Sequence, residues 1–177
     1  MATTGRYEER DGQPVVRFQR TVAHPVTTVW EAITEPAQLE EWFPTSVALS
    51  ALAPGAEIEF HFPQDAYPPM TGKILAVEPE RRFEFTWGED RLTFELEPRD
   101  GGEACRLSLT VVLDGAEKAA RDAAGWEQCL DMLETVAAGG IPERPAHTAG
   151  WRAYYEEYQR LGLPAEAPIP EPGKVTE

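Results

Sequence analysis

Arg20 is the first residue whose chemistry needs an explanation, because it lies on the apolar side of a predicted strand. In the segment PVVRFQRTVAH, Val16, Phe18 and Val22 share one parity with Arg20, and the alternate residues are mostly polar. Such alternation is typical of a strand with one buried face. A buried guanidinium needs a partner. Two interpretations follow: an ion pair with an acidic residue at the sheet edge, or an anchor for a carboxylate or phenolate on an otherwise apolar ligand.

The other groups that perform acid–base or metal chemistry in proteins show no catalytic pattern in this sequence. The three histidines, His24, His61 and His147, are not spaced as metal ligands or placed beside a nucleophile. The acidic residues are abundant but scattered, and no glycine-rich phosphate-binding loop is present. We therefore assign no catalytic residue, no metal ligand and no cofactor, and we favour binding over catalysis.

A set of aromatic and apolar side chains forms a candidate binding wall. The segments EIEFHF, RFEFTW and RLTFELE alternate so that their large side chains share one face. The helix AAGWEQCLDMLETVAAGG directs apolar side chains to the same interface, and the proline-rich loop FPQDAYPPMTG supplies an opening near Trp42. A packed core and a ligand pocket both suit such a face. The candidate ligand-binding residues are Arg20, Trp42, Phe60, Phe62, Tyr67, Met70, Phe83, Phe85, Trp87, Phe94, Trp126 and Leu130.

The elements that would position these side chains follow a simple order. After the first strand, HPVTTVWEAITEPAQLEEWFP carries two apolar stripes at helical spacing, separated by Pro36, which predicts two short helices. From Thr45 to Leu113 the apolar period becomes two, with tight turns between consecutive strands. We therefore expect an antiparallel sheet with one apolar face. The helix that contains Trp126 and ends at Gly139–Gly140 is expected to cover that face.

The C-terminal region is predicted to contain one further helix and a tail. The segment WRAYYEEYQRLGLP places Trp151, Tyr154, Tyr155, Tyr158 and Leu161 on one side of a helix. Because this stripe is too apolar to remain in water, we expect the helix to dock on its own domain in a monomer. A swapped or symmetric homodimer is the alternative. The expected units are a flexible N-terminus (1–14), the main domain (15–140), a linker with the docking helix (141–163), and a tail rich in proline and acidic residues (164–177).

The composition is that of a globular domain with a strong negative charge. The chain has 177 residues, and its 31 acidic and 16 basic residues give a formal net charge of −15. This charge repels nucleic acid and anionic lipid, so we expect neither nucleic acid nor a membrane as a partner. We identify no signal peptide and no membrane-spanning segment, and Cys105 and Cys129 fit no disulfide or zinc pattern. A cytoplasmic protein with two reduced thiols is the resulting expectation.

Three stretches of the sequence resemble a known protein family. They are RTVAHPVTTVWEAITEPAQLEEWF at 20–43, TGKILAVEPERRFEFTW at 71–87 and AAGWEQCLDMLE at 123–134. In content and order they resemble the START-like, Bet v 1-like superfamily, also called SRPBCC. Within it, the chain looks like the family of homologues of the activator of heat-shock-protein ATPase. Many bacterial relatives have a histidine directly after the tryptophan of the third stretch, where this chain has Glu127.

The resemblance implies an α+β helix-grip fold, in which a curved antiparallel sheet wraps around a long C-terminal helix and leaves a cavity between them. Two short helices follow the first strand, and the residue pattern adds an extra C-terminal helix. The family does not imply one activity, because the superfamily includes lipid carriers, cyclases or aromatases, and a chaperone-binding domain. We expect a small-molecule binding module that holds an apolar or aromatic ligand in this cavity. An aromatase- or cyclase-type enzyme with the same cavity and a chaperone-associated interaction protein are the alternatives.

Overall fold

The computed structural model describes residues 3–143 and 149–169, which form one curved antiparallel sheet with helices packed against one face. Eight strands lie in the order β1-β2-β8-β7-β6-β5-β4-β3, and every neighbouring pair is antiparallel. The strands are β1 (Gly5–Arg10), β2 (Gln13–Val22), β3 (Ser46–Leu49), β4 (Glu57–His61), β5 (Met70–Glu78), β6 (Arg82–Trp87), β7 (Asp90–Arg99) and β8 (Ala104–Val112).

Within the described residues, four α-helices complete the fold: α1 (Val26–Thr34), α2 (Pro36–Trp42), α3 (Ala119–Ala137) and α4 (Ala149–Arg160). Pro36 lies in the first turn of α2, where its missing N–H has no partner to lose, and it separates the two short helices as predicted. The long helix α3 ends where Gly139 adopts a positive φ of 81° and its N–H donates to the Val136 carbonyl. The α+β helix-grip architecture expected from the sequence is confirmed.

The N-terminal region differs from the flexible segment expected over residues 1–14. Residues Gly5–Arg10 form the edge strand β1, which pairs with β2 along its whole length. The turn between the two strands is Asp11–Gly12, and both residues have positive φ, at 52° and 76°. An Asp-Gly pair is a strong signal for a two-residue hairpin turn. The weak apolar pattern of β1, in which Tyr7 is its one large apolar side chain, concealed this signal.

Helix α4 docks on α3, as the apolar stripe predicted. Tyr154, Tyr155 and Tyr158 are buried, and Trp151 is half-buried. Leu161, however, is 55% exposed, and the prediction that it belongs to the buried stripe is wrong. After the helix ends at Arg160, Gly162 has a φ of +89°, and the N–H of Leu163 donates to the carbonyl of Tyr158 at 3.0 Å. This Schellman turn brings Leu163 into the core instead of Leu161.

A buried ion pair between Arg20 on β2 and Glu127 on α3 joins the sheet to the long helix. The Glu127 side chain is fully buried and that of Arg20 is 7% exposed, with Nη2 and Oε2 2.6 Å apart. Burial alone would lower the pKa of Arg20, but its hydrogen bonds to Glu127 and Asp131 outweigh this effect, and the pKa is raised. Arg20 therefore stays charged, and of its two interpretations the ion pair is the one that the structure forms.

The carboxylate of Glu127 accepts hydrogen bonds from three separate elements. Besides Arg20, it accepts from the backbone N–H and the hydroxyl of Thr4, just before β1, and from the hydroxyl of Tyr158 on α4 at 2.8 Å. The Tyr158 hydroxyl also accepts the N–H of Gly5 at 2.9 Å. A Cβ at position 5 would lie 2.4 Å from that hydroxyl oxygen, so a glycine is required for this approach.

A second acid on α3 extends this network towards solvent. Asp131 accepts from Arg20 Nη1 at 2.7 Å and from the hydroxyl of Tyr154 at 2.6 Å. We call Thr4, Arg20, Glu127, Asp131, Tyr154 and Tyr158 the polar network. Because buried charges are costly unless they are paired and hydrogen-bonded, the network makes the positions of β1 and α4 depend on α3.

Removing the charge of Glu127 should destabilise the fold strongly. Glu127→Gln leaves Arg20 buried without its closest counter-charge, and we expect a loss of about 3 kcal/mol in the free energy of unfolding. The matched control is Glu8→Gln, which removes an exposed ion pair with Arg10 and should cost less than about 1 kcal/mol. Urea unfolding followed by circular dichroism measures both. Equal losses in the two variants would contradict the structural role of Glu127.

The tyrosines of α4 should make stability fall at high pH. Burial, followed by the charge of Glu127, raises the pKa of Tyr158, and burial, followed by the hydrogen bond to Asp131, raises the pKa of Tyr154. The folded protein thus keeps both protons after the unfolded chain has begun to lose them near pH 10. The contribution of these two protons to the free energy of unfolding is complete below pH 10. Above pH 10 it falls by about 1.4 kcal/mol per pH unit for each tyrosine. Urea unfolding between pH 9 and 11.5 should show a shallower decline for the double variant Tyr154→Phe/Tyr158→Phe, and identical declines would contradict this assignment.

Candidate functional site

Phe43 is the centre of an aromatic cluster between the sheet and α3. Its ring centroid lies 5.2 Å from that of Trp87, 5.6 Å from Trp126 and 5.9 Å from Phe60. The chain of ring contacts continues from these residues into the core and outward to the surface. We define the aromatic cluster as Trp42, Phe43, Phe60, Phe62, Tyr67, Phe83, Phe85, Trp87, Phe94 and Trp126.

The strand period explains why these rings meet. On β6 the inward positions carry Phe83, Phe85 and Trp87, and cross-strand pairing places Phe94 of β7 opposite Phe83. The end of α2 adds Trp42 and Phe43 from the other side. The indole N–H of Trp42 donates to the Ala32 carbonyl of α1 at 2.8 Å, which fixes α2 against α1 and so holds the ring of Phe43 in place.

The aromatic cluster has a buried end and an open end. Trp42, Phe60, Phe83, Phe85 and Phe94 are at most 1% exposed, and Trp126 and Leu130 are also buried, at 5% and 1%. Trp87, Phe62 and Met70 are only half-buried, and Tyr67 is 51% exposed. We call these last four residues the mouth. Of the candidate ligand-binding residues, all except Arg20 thus lie on the aromatic side of α3, either in the core or at the mouth.

The loop between β4 and β5, which carries Phe62 and Tyr67 of the mouth, has an unusual backbone. Gln64 and Asp65 are consecutive non-glycine residues with positive φ, at 57° and 51°. This left-handed region is unfavourable for residues with a Cβ, so tertiary contacts must hold the loop in place. One such contact joins the rings of Phe62 and Tyr67, whose centroids lie 5.1 Å apart.

Arg20 lies away from the aromatic cluster. Its partners on α3 are Glu127, Asp131 and Glu134, whereas the apolar stripe of the same helix consists of Trp126, Leu130 and Leu133. Each set follows the helical spacing of four and then three residues, so the two form adjacent stripes about 100° apart. The guanidinium is bound to this chain's own acids and does not join the predicted wall.

Four grooves of about 200–350 Å³ open elsewhere on the described surface. The first lies on the opposite, polar face of the sheet between Arg17, Arg82 and Arg106, and two others lie beside it near β1 and β2. The fourth lies between α3 and α4 beside Met132 and Tyr154. None of these four grooves is lined by a residue of the aromatic cluster, whose rings pack against one another between the sheet and α3.

The remaining candidate groups stay dispersed. His61 is exposed beside Glu59, at 3.3 Å, His24 is half-buried before α1, and His147 lies outside the described residues. Among the described residues, no cluster of three or more histidine, cysteine or acidic side chains is arranged to hold a metal ion. Likewise, no helix in the described ranges is long and apolar enough to cross a membrane.

Sequence reasoning missed two central residues. Phe43 was assigned to the second helical stripe and was left out of the predicted wall, although it makes five ring contacts in the cluster. Its position directly after Trp42, between a helix and the start of a strand, was the available signal. Glu127 stood out only as a departure from the family, and its inward helical position one residue after Trp126 was the clue to its burial.

Comparison with solved structures places the fold among known proteins. EF2215, a conserved protein of unknown function from Enterococcus faecalis, superposes with a TM-score of 0.72 at 18% identity over 89% of each chain. The crystal structure of CalU16 from Micromonospora echinospora gives a TM-score of 0.71 at 20% identity, over 91% of this chain and 98% of that one. DynU16, a putative protein in the dynemicin biosynthetic locus, gives 0.59 at 27% identity over 72% of this chain and 48% of its own.

Sequence comparison identifies the family directly. No curated protein matches the chain in a sequence search. The family model of the activator of Hsp90 ATPase homolog 1-like proteins matches residues 23–138, which run from just before α1 to the end of α3 and contain the whole aromatic cluster. With most of its length inside this match, the chain belongs to the activator of Hsp90 ATPase homolog 1-like family, a branch of the SRPBCC superfamily.

Proposed function

We propose that this chain is a small-molecule binding module that takes up an apolar or aromatic ligand between the sheet and α3. The observation that carries the proposal is the continuity of the aromatic cluster, which runs from fully buried rings to the half-exposed rings of the mouth. Ligand sites are usually apolar and aromatic with few polar groups. Rings at the mouth present large, flat surfaces on which a planar ligand stacks.

Because the interior is packed, uptake requires the mouth to rearrange. The loop between β4 and β5 is suited to this movement, since Gln64 and Asp65 hold unfavourable backbone angles and Tyr67 is exposed. A ligand that replaces the ring contact between Phe62 and Tyr67 with its own stacking contacts compensates for their loss. The buried end of the cluster, by contrast, serves as the fixed floor of the site.

The polar network argues for binding rather than for aromatase- or cyclase-type catalysis. Such an enzyme needs an acid or base that reaches the ligand. Glu127 is the fully buried carboxylate of α3, but both its oxygens accept hydrogen bonds from Thr4, Arg20 or Tyr158. The Glu127 carboxylate therefore stabilises the fold and does not act as an acid or base towards a ligand. Cys105 and Cys129 are both buried and do not form a disulfide with each other, which fits the cytoplasmic location that belongs to the same proposal.

A chaperone-associated interaction protein is the second candidate. The packed state of the aromatic cluster favours it, because a filled interior leaves the surface as the place of recognition. Leu52 and Leu75 are 40% and 43% exposed, and the family takes its name from an activator of the Hsp90 ATPase. Single exposed leucines are common on protein surfaces, however, and give less support than a continuous aromatic cluster.

Titration with 2-naphthol, a neutral bicyclic probe, tests the binding proposal. Isothermal titration calorimetry at pH 7.5 should give saturable one-site binding to the wild type. Trp87→Leu removes a ring of the mouth and should weaken the affinity roughly tenfold. The matched control is Trp151→Leu, which removes a half-buried tryptophan that stacks on Tyr155 of α4, and it should leave the affinity unchanged.

Two outcomes would contradict this site. If 2-naphthol does not bind to the wild type, the binding proposal fails, and the interaction protein becomes the better candidate. If Trp87→Leu and Trp151→Leu change the affinity equally, the probe binds outside the mouth. Circular dichroism spectra of both variants ensure that each is folded before the titration.

A further inference from the structure

Three of the four mouth residues, Phe62, Tyr67 and Met70, lie in a part of the chain that has no lysine or arginine. No lysine or arginine occurs between Arg20 and Lys73, a stretch that contains α1, α2, β3, β4 and the loop of the mouth. Its charged side chains are acidic, and Glu40, Glu41 and Asp65 belong to α2 and to that loop. An anionic ligand that approaches the mouth from this side meets only like charge.

The basic residues of the neighbouring strands point to the other face of the sheet. Lys73, Arg82 and Arg91 alternate with inward residues that are buried, as Arg82 does with Phe83. A strand places successive side chains on opposite faces, so these cations lie behind the sheet. Arg82 and Arg91 are moreover paired with Glu84, at 2.7 and 3.2 Å.

Two further cations near the interior are neutralised by this chain's own acids. Arg20 is bound by the polar network, as described above. Lys118, which precedes α3, lies 2.8 Å from Asp90 and 2.5 Å from Asp114. Asp90 pairs across the β6–β7 turn with Trp87, so Lys118 is bound to an acid that is the strand partner of a mouth residue, and its charge is already paired.

The cluster does offer hydrogen-bond donors. The indole N–H groups of Trp87 and Trp126 have no acceptor among the described residues, in contrast to Trp42, which donates to Ala32. Their ring centroids lie 6.0 Å apart. Both indole nitrogens reach solvent, since neither belongs to the buried side-chain atoms that lack a partner, and a ligand bound there displaces the water that serves as their acceptor. A neutral oxygen atom on a ligand supplies one without adding a charge.

From these observations we infer that the site selects an uncharged, planar aromatic ligand that carries a carbonyl-type oxygen, and that it excludes the corresponding carboxylate. This inference rests on the proposed binding function and adds a chemical class to it. A carboxylate placed in the cluster loses its hydration and gains no counter-charge, whereas a ketone loses less and accepts from an indole.

Three probes of matched size separate the effect of the carbonyl oxygen from the effect of the negative charge. They are 2-acetonaphthone, with a neutral carbonyl oxygen, 2-naphthoate, with a carboxylate in its place, and 2-ethylnaphthalene, with neither. In titrations at pH 7.5, we expect the ketone to bind about 100-fold or more tightly than the carboxylate, and roughly fivefold more tightly than the hydrocarbon. A carboxylate as tight as the ketone would overturn the inference, and so would equal affinities of ketone and hydrocarbon. Absence of binding by all three would refute the binding function itself.

A positive charge added at the mouth tests whether the lack of a counter-charge is the reason that a carboxylate is excluded. Met70→Lys introduces a cation beside the aromatic cluster and should strengthen the binding of 2-naphthoate by roughly tenfold or more. The control is Met132→Lys, at a half-buried methionine in the groove between α3 and α4, which should leave the affinity for 2-naphthoate unchanged. If both lysines strengthen binding equally, the overall charge of the protein decides the selectivity, and the inference is wrong.

Discussion

A fully buried carboxylate must have hydrogen bonds for both its oxygens, and in this protein Glu127 imposes that constraint on the whole fold. Its partners come from the residue before β1, from β2 and from α4. The family match spans residues 23–138, so Thr4, Arg20 and Tyr158 all lie outside it. The elements that flank the matched region are therefore tied to one side chain of its long helix.

The same constraint places the polar network and the aromatic cluster on two different sides of α3. A shift of one residue along the helix leads from Trp126, which faces the aromatic cluster, to Glu127, which faces the polar network. Because Arg20 is bound by the acidic stripe, its charge is not available to a ligand on the aromatic side. In the binding function that we propose, the polar network contributes to ligand selection indirectly, because it leaves the aromatic side without a counter-ion for an anion.

Sequence periodicity was enough to predict the sheet, the two short helices and α3, because each has a repeated apolar pattern over most of its length. Contacts between residues that are distant in the sequence leave no repeated pattern from which they could be predicted. Thr4 and Glu127 are 123 residues apart, and nothing in either local sequence indicates the other. The strand β1 was missed because its stability comes from backbone pairing and from the Asp11–Gly12 turn rather than from apolar side chains. The packing of the wall residues against Phe43 depends on how α2 ends, which the pattern of α2 alone does not specify.

The central claim is that a neutral aromatic ligand binds at the aromatic side of α3 and accepts a hydrogen bond from an indole there. The five tryptophans make it directly measurable, because each indole N–H gives one signal in a ¹H–¹⁵N correlation spectrum. Saturation with 2-acetonaphthone should shift the Nε1–H signals of Trp87 and Trp126. The signals of Trp42, whose N–H is bound to Ala32, and of Trp151 on α4 should stay in place. A spectrum in which Trp151 shifts while Trp87 and Trp126 do not would contradict the account.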